Sequence, residues 1–154
     1  MEYKNTMIVV KNIDRTKQFY TTVIGLNIIS DTGENVVFSG GLAAQTEKSW
    51  LLFTHSDANI IKYGTHNMEL YFEEKDYFKF LCEVKKSDVE IISEMEMPYG
   101  QRVLRIYDPD KHIVEIGEDM GIMVRRLYNE GLSKKNISEK TGLTLEMIHN
   151  YFEY

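Results

Sequence analysis

The chain has 154 residues, with 24 Asp and Glu against 18 Lys and Arg, so its net charge is −6 and its pI is near 5.3. That balance excludes a phosphate-binding surface spread over the molecule, which needs clustered cations, while ten Tyr and seven Phe provide enough bulk for a packed core and exclude disorder as the default. Cys82 stands alone and no run is long and apolar enough to cross a bilayer, which points to a soluble, cytoplasmic protein in a reducing compartment, with no disulfide and no membrane partner.

Residues 4–10 alternate as a strand, with Thr6, Ile8 and Val10 on one face and Asn5, Met7 and Val9 on the other. Asp14 then reads as the cap of a helix over 14–24, whose buried side carries Phe19 and Val23 and whose stop is Gly25. Short strands are expected at 26–30, 35–39 and 42–46, turned at Gly33 and at Gly40-Gly41. Residues 47–63 break this alternation, and Trp50, Leu51, Phe53, Ile60 and Ile61 favour a short helix and a packed connection. A strand at 67–72 follows, then Asp76 as a cap and a helix carrying Phe80, Leu81 and Val84, among which Cys82 reads as an inert, buried thiol. A strand near 89–93 leads into a hairpin of 102–107 and 113–117, turned by Asp108-Pro109-Asp110-Lys111.

These elements repeat. A shift of 62 positions lays Asn5-Thr6-Met7-Ile8-Val9-Val10 on Asn67-Met68-Glu69-Leu70-Tyr71-Phe72 and Asp14 on Asp76, and a shift of 70 lays Ala43-Ala44-Gln45 on Ile113-Val114-Glu115. Two copies of one unit can close around a shared cleft where equivalent residues meet.

The helix Phe19-Tyr20-Thr21-Thr22-Val23-Ile24-Gly25-Leu26 and the hairpin Tyr107-Asp108-Pro109-Asp110-Lys111-His112-Ile113-Val114-Glu115-Ile116 resemble the two signatures of the vicinal oxygen chelate superfamily, the group of glyoxalase I, bleomycin-resistance proteins, fosfomycin-resistance transferases and extradiol dioxygenases. The resemblance implies an α+β fold in which paired βαβββ units, about 3–46 and 66–118, form a curved mixed sheet around a cleft. Residues 1–118 then make one domain, and 119–154 a helical tail.

The resemblance also implies where a metal would sit, because ligands in metal-dependent members come from the first and last strands of each unit. Residue by residue those positions are Asn5, Gln45, Asn67 and Glu115. Three of the four are amides, which bind zinc, nickel or iron poorly beside imidazole and carboxylate, so no metal cofactor is expected. If a divalent metal binds after all, Glu115 and His66 would hold it, provided that a bulge or an early strand start re-aims His66, which otherwise shares parity with the packing residues Met68, Leu70 and Phe72. His55, His112 and His149 match no ligand position and read as structural or surface groups.

Alternation turns Glu69 and Tyr71 with Asn67 to the cleft, and turns Arg105 and Tyr107 there because Leu104 and Ile106 take the packing side. The candidate ligand-binding set is therefore Asn5, Gln45, Asn67, Glu69, Tyr71, Arg105, Tyr107 and Glu115, and it suits a small polar organic molecule. Should the protein be an enzyme, Glu69 and Glu115 are the candidate catalytic groups of a glyoxalase-like lyase or isomerase. The other account of the same residues is a satisfied Arg and Glu pair inside a sheet, and sequence leaves both open.

In the tail, 122–129 reads as a helix closed by Gly131, and Ser133 and Thr144 as caps of two further helices with Gly142 in the turn between them. This pattern resembles the helix-turn-helix of bacterial regulators, which makes a ligand-sensing regulator a third alternative. Its charge argues against nucleic acid, since Arg125, Arg126, Lys134, Lys135 and Lys140 are matched by Asp119, Glu130, Glu139, Glu146 and Glu153. The apolar residues Leu145, Ile148, Tyr151 and Phe152 instead suit docking on protein, and a homodimer is the expected assembly.

Overall fold

A computed structural model describes residues 1–153. The chain divides into two compact units, one made of Met1–Met68 with the turn Asp108–His112, the other of Glu69–Tyr107 and 113 onward.

The first unit runs β1 (Thr6–Val10), α1 (Ile13–Thr22), β2 (Ile28–Asp31), β3 (Asn35–Phe38), β4 (Leu42–Thr46) and α2 (Glu47–Thr54). Its four strands form one sheet in the order β1-β4-β3-β2, parallel between β1 and β4 and antiparallel elsewhere. The second unit repeats this with β5 (Glu69–Glu74), α3 (Tyr77–Lys85), β6 (Ile91–Glu96), β7 (Arg102–Tyr107) and β8 (Ile113–Glu118), in the order β5-β8-β7-β6 with the equivalent parallel pair. Even the irregularities match, since the register slips between Ile28 and Ser30 in one copy and between Ile91 and Ser93 in the other. The α+β architecture of paired βαβββ units is therefore as the sequence implies.

Several boundaries differ from the alternation. β1 begins at Thr6 and β5 at Glu69, so Asn5 and Asn67 lie before their strands. Asn12, not Asp14, caps α1, because its Oδ1 accepts from the amides of Asp14 and Arg15 at 3.1 and 3.0 Å. Asp76 does cap α3, accepting from the Lys79 amide. Cys82 is exposed, since the buried stripe of α3 is Tyr77, Leu81 and Val84 and Cys82 stands one position past Leu81.

The turn 108–112 is built around one buried carboxylate. Asp108 Oδ1 accepts from the amides of Asp110 and His112 at 2.9 and 2.8 Å, while Oδ2 accepts from the Tyr20 hydroxyl at 3.0 Å and lies 2.8 Å from His112 Nδ1. Burial, then the Asp108 charge, pushes the Tyr20 phenol well above its ordinary range, so it remains a donor. His112 is thus a structural partner, as its position outside the ligand pattern implies.

The tail forms α4 (Met120–Asn129), α5 (Lys134–Thr141) and α6 (Leu145–Asn150), capped by Asp119, Ser133 and Thr144. Its core is Met123, Val124, Leu127, Ile137 and Ile148, with Tyr99, Leu132, Leu143, Tyr151 and Phe152 packed against it. Arg126 fastens α4 to the sheet of its own unit through two bonds to the buried Glu118, at 3.1 and 2.8 Å, and one to the Gly100 carbonyl at 2.6 Å. The tail therefore belongs to the second unit and packs beside its sheet in the same chain.

Because the buried Asp108 satisfies four donors that its loss would leave unpaired, Asp108→Ala should lower unfolding free energy by about 3 kcal/mol. Urea denaturation checks this, and a loss below about 1 kcal/mol would show that the turn holds without it.

Candidate functional site

Pairing in the second sheet sets Tyr71, Glu115 and Arg105 in one row across β5, β8 and β7, with Glu69 two residues along β5 on the same face. Arg105 Nε donates to Glu69 Oε2 at 3.3 Å, and its Nη2 makes an ion pair with Glu115 Oε2. The side chain of Glu115 is only 7% exposed, that of Arg105 22% and that of Glu69 42%. Glu115 Oε2 has no hydrogen bond of good geometry, so the guanidinium in direct contact is what compensates its burial. Burial raises the Glu115 carboxyl above its ordinary 4.5, Arg105 opposes this, and the neighbouring Glu69 carboxylate adds to it.

Two tyrosines border this cluster. Burial raises the Tyr99 phenol, with a further push from Glu115 and Glu69 that Arg105 opposes. Tyr71 is pushed up to about 12, mainly by burial, and its hydroxyl accepts from Gln101 Nε2 at 2.7 Å.

The equivalent row of the first unit is Val9, Gln45 and Asn35. There Asn35 Nδ2 approaches Met7 Sδ at 3.7 Å where Arg105 meets Glu69, and Gln45 is buried and donates to Ser49 Oγ at 2.7 Å. One fold position thus holds a neutral set in one copy and a charged set in the other.

Of the residues singled out from sequence, Glu69, Tyr71, Arg105 and Glu115 come together, and Tyr107 lies half-buried on the same face. Gln45 is turned to an internal partner. Asn5 is exposed ahead of β1, and Asn67 is exposed with its Oδ1 accepting from Thr65 Oγ1 at 2.8 Å. His66 sits in the loop before β5 with φ 54°. Tyr99 and Gln101 were not evident from the sequence, because they lie in the connection between β6 and β7, where no periodicity applies. Gly117 was the available signal, since a glycine inside a strand marks a close approach.

The sequence model of the Glyoxalase-like domain family matches residues 3–121. The chain belongs to this glyoxalase-like family, within the vicinal oxygen chelate superfamily. A solved protein of unknown function from Agrobacterium tumefaciens is 34% identical over 78% of this chain and 95% of its own, with a TM-score of 0.70. The lactoylglutathione lyase of the same organism is 22% identical over 77% of this chain and 93% of its own, with a TM-score of 0.59. A glyoxalase/bleomycin resistance protein/dioxygenase family enzyme from Burkholderia phytofirmans shares the fold at 15% identity and a TM-score of 0.66, over 77% of this chain and 98% of its own. No curated protein matches the sequence. The family match ends at the start of α4, so most of the tail lies beyond it.

The glyoxalase-like fold raises the question of a metal, and the donor set answers poorly. The described residues contain no group of three or more His, Cys, Asp and Glu side chains able to hold one. Glu115 is neutralised by Arg105, and the amides of Gln45 and Asn67 already have partners. These residues do not fit a transition-metal site. No described helix is long and apolar enough to cross a membrane.

The raised Glu115 carboxyl has a pH consequence. The folded state holds this proton more tightly than the unfolded chain, so the group's contribution to stability falls as pH rises from about 4.5 through its raised value. Glu115→Gln mimics the protonated form at every pH. Melting curves should therefore show the variant gaining on the wild type between pH 4.5 and 7, and a constant difference over that range would contradict the assignment.

Proposed function

We propose that this glyoxalase-like protein binds a small polar organic molecule on the Glu69, Tyr71, Arg105 and Glu115 face of its second sheet, without a transition metal. The observation that carries the reading is the neutral row of the first unit, where Gln45, Asn35 and Met7 fill the positions of Glu115, Arg105 and Glu69. The fold accepts neutral residues at these positions in its first copy, so a charged set is not a requirement of the βαβββ unit as such, which favours contact with a ligand over a purely structural pair. Two carboxylates share one guanidinium, so the half-exposed Glu69 has acceptor capacity left over. A ligand with a protonated nitrogen suits that residual charge, and the Tyr71 and Tyr99 rings suit its apolar part.

A thermal-shift screen of small amines beside small carboxylates tests this. Amines should raise the melting temperature, and Glu69→Gln should weaken their binding by roughly tenfold while leaving the ligand-free melt unchanged. Stabilisation by carboxylates alone would overturn the charge assignment, and a collapsed ligand-free melt in Glu69→Gln would favour a purely structural ion cluster. Elemental analysis of the purified protein should find no stoichiometric zinc, nickel or iron; one such ion per chain, lost in Glu115→Ala, would overturn the metal-free reading.

A second reading, a lyase or isomerase, is favoured by one observation, the raised Glu115 carboxyl beside Glu69. A carboxyl held partly protonated by burial, beside a second acid, can hold and return a proton. Deuterium exchange at a carbon of the bound ligand, abolished in Glu115→Gln, is its signature.

The tail enters this reading as a docked element and not as a reader of DNA. Its last helix, α6, carries Glu146 and no Lys or Arg, and Ile148 on it is buried. The full chain should show no salt-sensitive retention in a gel shift at low ionic strength, and retention there would promote the regulator. A homodimer belongs to the same proposal, supported by the exposed Ile28 and Ile29 on the edge strand β2.

A further inference from the structure

Beside the proposed ligand face lies a buried amide with no part in the charge cluster. Gln101 is 2% exposed, and its bonds run in three directions. Nε2 donates to the Tyr71 hydroxyl at 2.7 Å and to the Glu118 carbonyl at 2.8 Å, and Oε1 accepts from the Tyr99 hydroxyl at 3.0 Å. The Tyr71 hydroxyl in turn donates to Glu73 Oε1 at 3.0 Å, and Glu73 Oε2 accepts from the Met120 amide at 3.2 Å, in the first turn of α4.

Only glycine at 117 allows this arrangement. A Cβ there would collide with Gln101 Nε2 and would stand 2.9 Å from both the Gln101 amide carbon and the Tyr71 hydroxyl. The amide therefore lies across β8 at the one position where the strand has no side chain. The two rings it holds are the two that border the charge cluster, since Tyr71 is the register partner of Glu115 and Tyr99 feels the charges of Glu115, Arg105 and Glu69. Tyr99 also packs against the core of the tail.

We propose that Gln101 is a positioning residue, which fixes the Tyr71 and Tyr99 rings at the ligand face and joins the order of that face to the docking of α4. The proposal rests on the ligand face described above, but the joining itself is a property of the ligand-free protein. Two donors and one acceptor on one planar amide leave each phenol a single favourable position, and the carboxylate of Glu73 passes that restraint to the helix start. Coupling of this kind is reciprocal: loosening the start of α4 should loosen the tyrosines.

Hydrogen exchange by mass spectrometry and NMR of ring-labelled tyrosine, both on the ligand-free full chain, test it. Gln101→Leu keeps the volume and removes every bond, so a packing role predicts no change. The positioning role predicts that exchange at 119–123 rises roughly tenfold while the strands of the second sheet stay protected, and that the Tyr71 and Tyr99 signals, assigned by Tyr71→Phe and Tyr99→Phe, shift together. Tyr71→Phe removes a single hydroxyl and should raise the same exchange, which keeps the test open if Gln101→Leu folds poorly. Glu73→Gln should move the Tyr99 signal without touching it directly. Unmoved tyrosine signals and unchanged exchange at 119–123 in Gln101→Leu or Tyr71→Phe would overturn the proposal. Failure of amines to bind in the screen, with these effects present, would instead overturn the ligand reading alone.

Discussion

The second unit depends on how a carboxylate is kept in the middle of a sheet. Burying Glu115 without compensation would cost several kcal/mol, and the compensation comes from the antiparallel register that sets Arg105 opposite it on β7. One arginine then serves two acids, because the parallel pairing of β5 with β8 brings Glu69 to the same guanidinium. The three residues sit on paired strands and not on loops, so the ladder of backbone hydrogen bonds sets the register that brings their charges together. Its cost shows in the upward shift of Glu115, where burial is the largest influence and, together with the neighbouring Glu69, outweighs the opposing Arg105.

A second buried carboxylate plays the opposite part. Asp108 is satisfied on both oxygens by Tyr20, His112 and two turn amides, so it is a closed structural group with nothing left to offer a ligand. Glu115 has a charge partner but incomplete hydrogen bonding, and Glu69 beside it is partly open to solvent. The two sites contain the same functional group. What separates a structural acid from a candidate binding acid here is the completeness of its donors.

The repeat, the succession of elements along the chain and most of the caps were legible in the sequence, because alternating apolar residues and the Asp and Gly signals act locally. The 62- and 70-residue shifts agree with the observed pairing, in which Val9 faces Gln45 as Tyr71 faces Glu115. Strand ends were less legible. Asn5 and Asn67 continue the alternation of β1 and β5 by one and two residues, but no partner strand extends opposite them, so they fall outside the sheet. Cys82 was misplaced because its apolar neighbours in sequence sit on a different side of α3. The Glu69, Arg105 and Glu115 cluster was legible from parity alone. Gln101 and Tyr99 were not, since a loop residue's partners depend on tertiary placement that no period encodes.

The two copies differ in the character of this row. The first keeps a row that any sheet could bury, with Val9, Asn35 and Gln45 meeting internal, neutral partners. The second carries the charges, and it also carries the tail, whose polar attachments include Glu73 on β5, Glu118 on β8 and Gly100 beside β7. Through Glu118 the helix bundle is bonded to the same strand, β8, that holds Glu115. Had the tail served only to cover apolar surface, its own core of Met123, Val124, Leu127, Ile137 and Ile148 would have been sufficient. The bidentate Arg126 pair to Glu118 and the Glu73 bond to Met120 add direction to the contact, and direction is what a packed apolar interface by itself lacks.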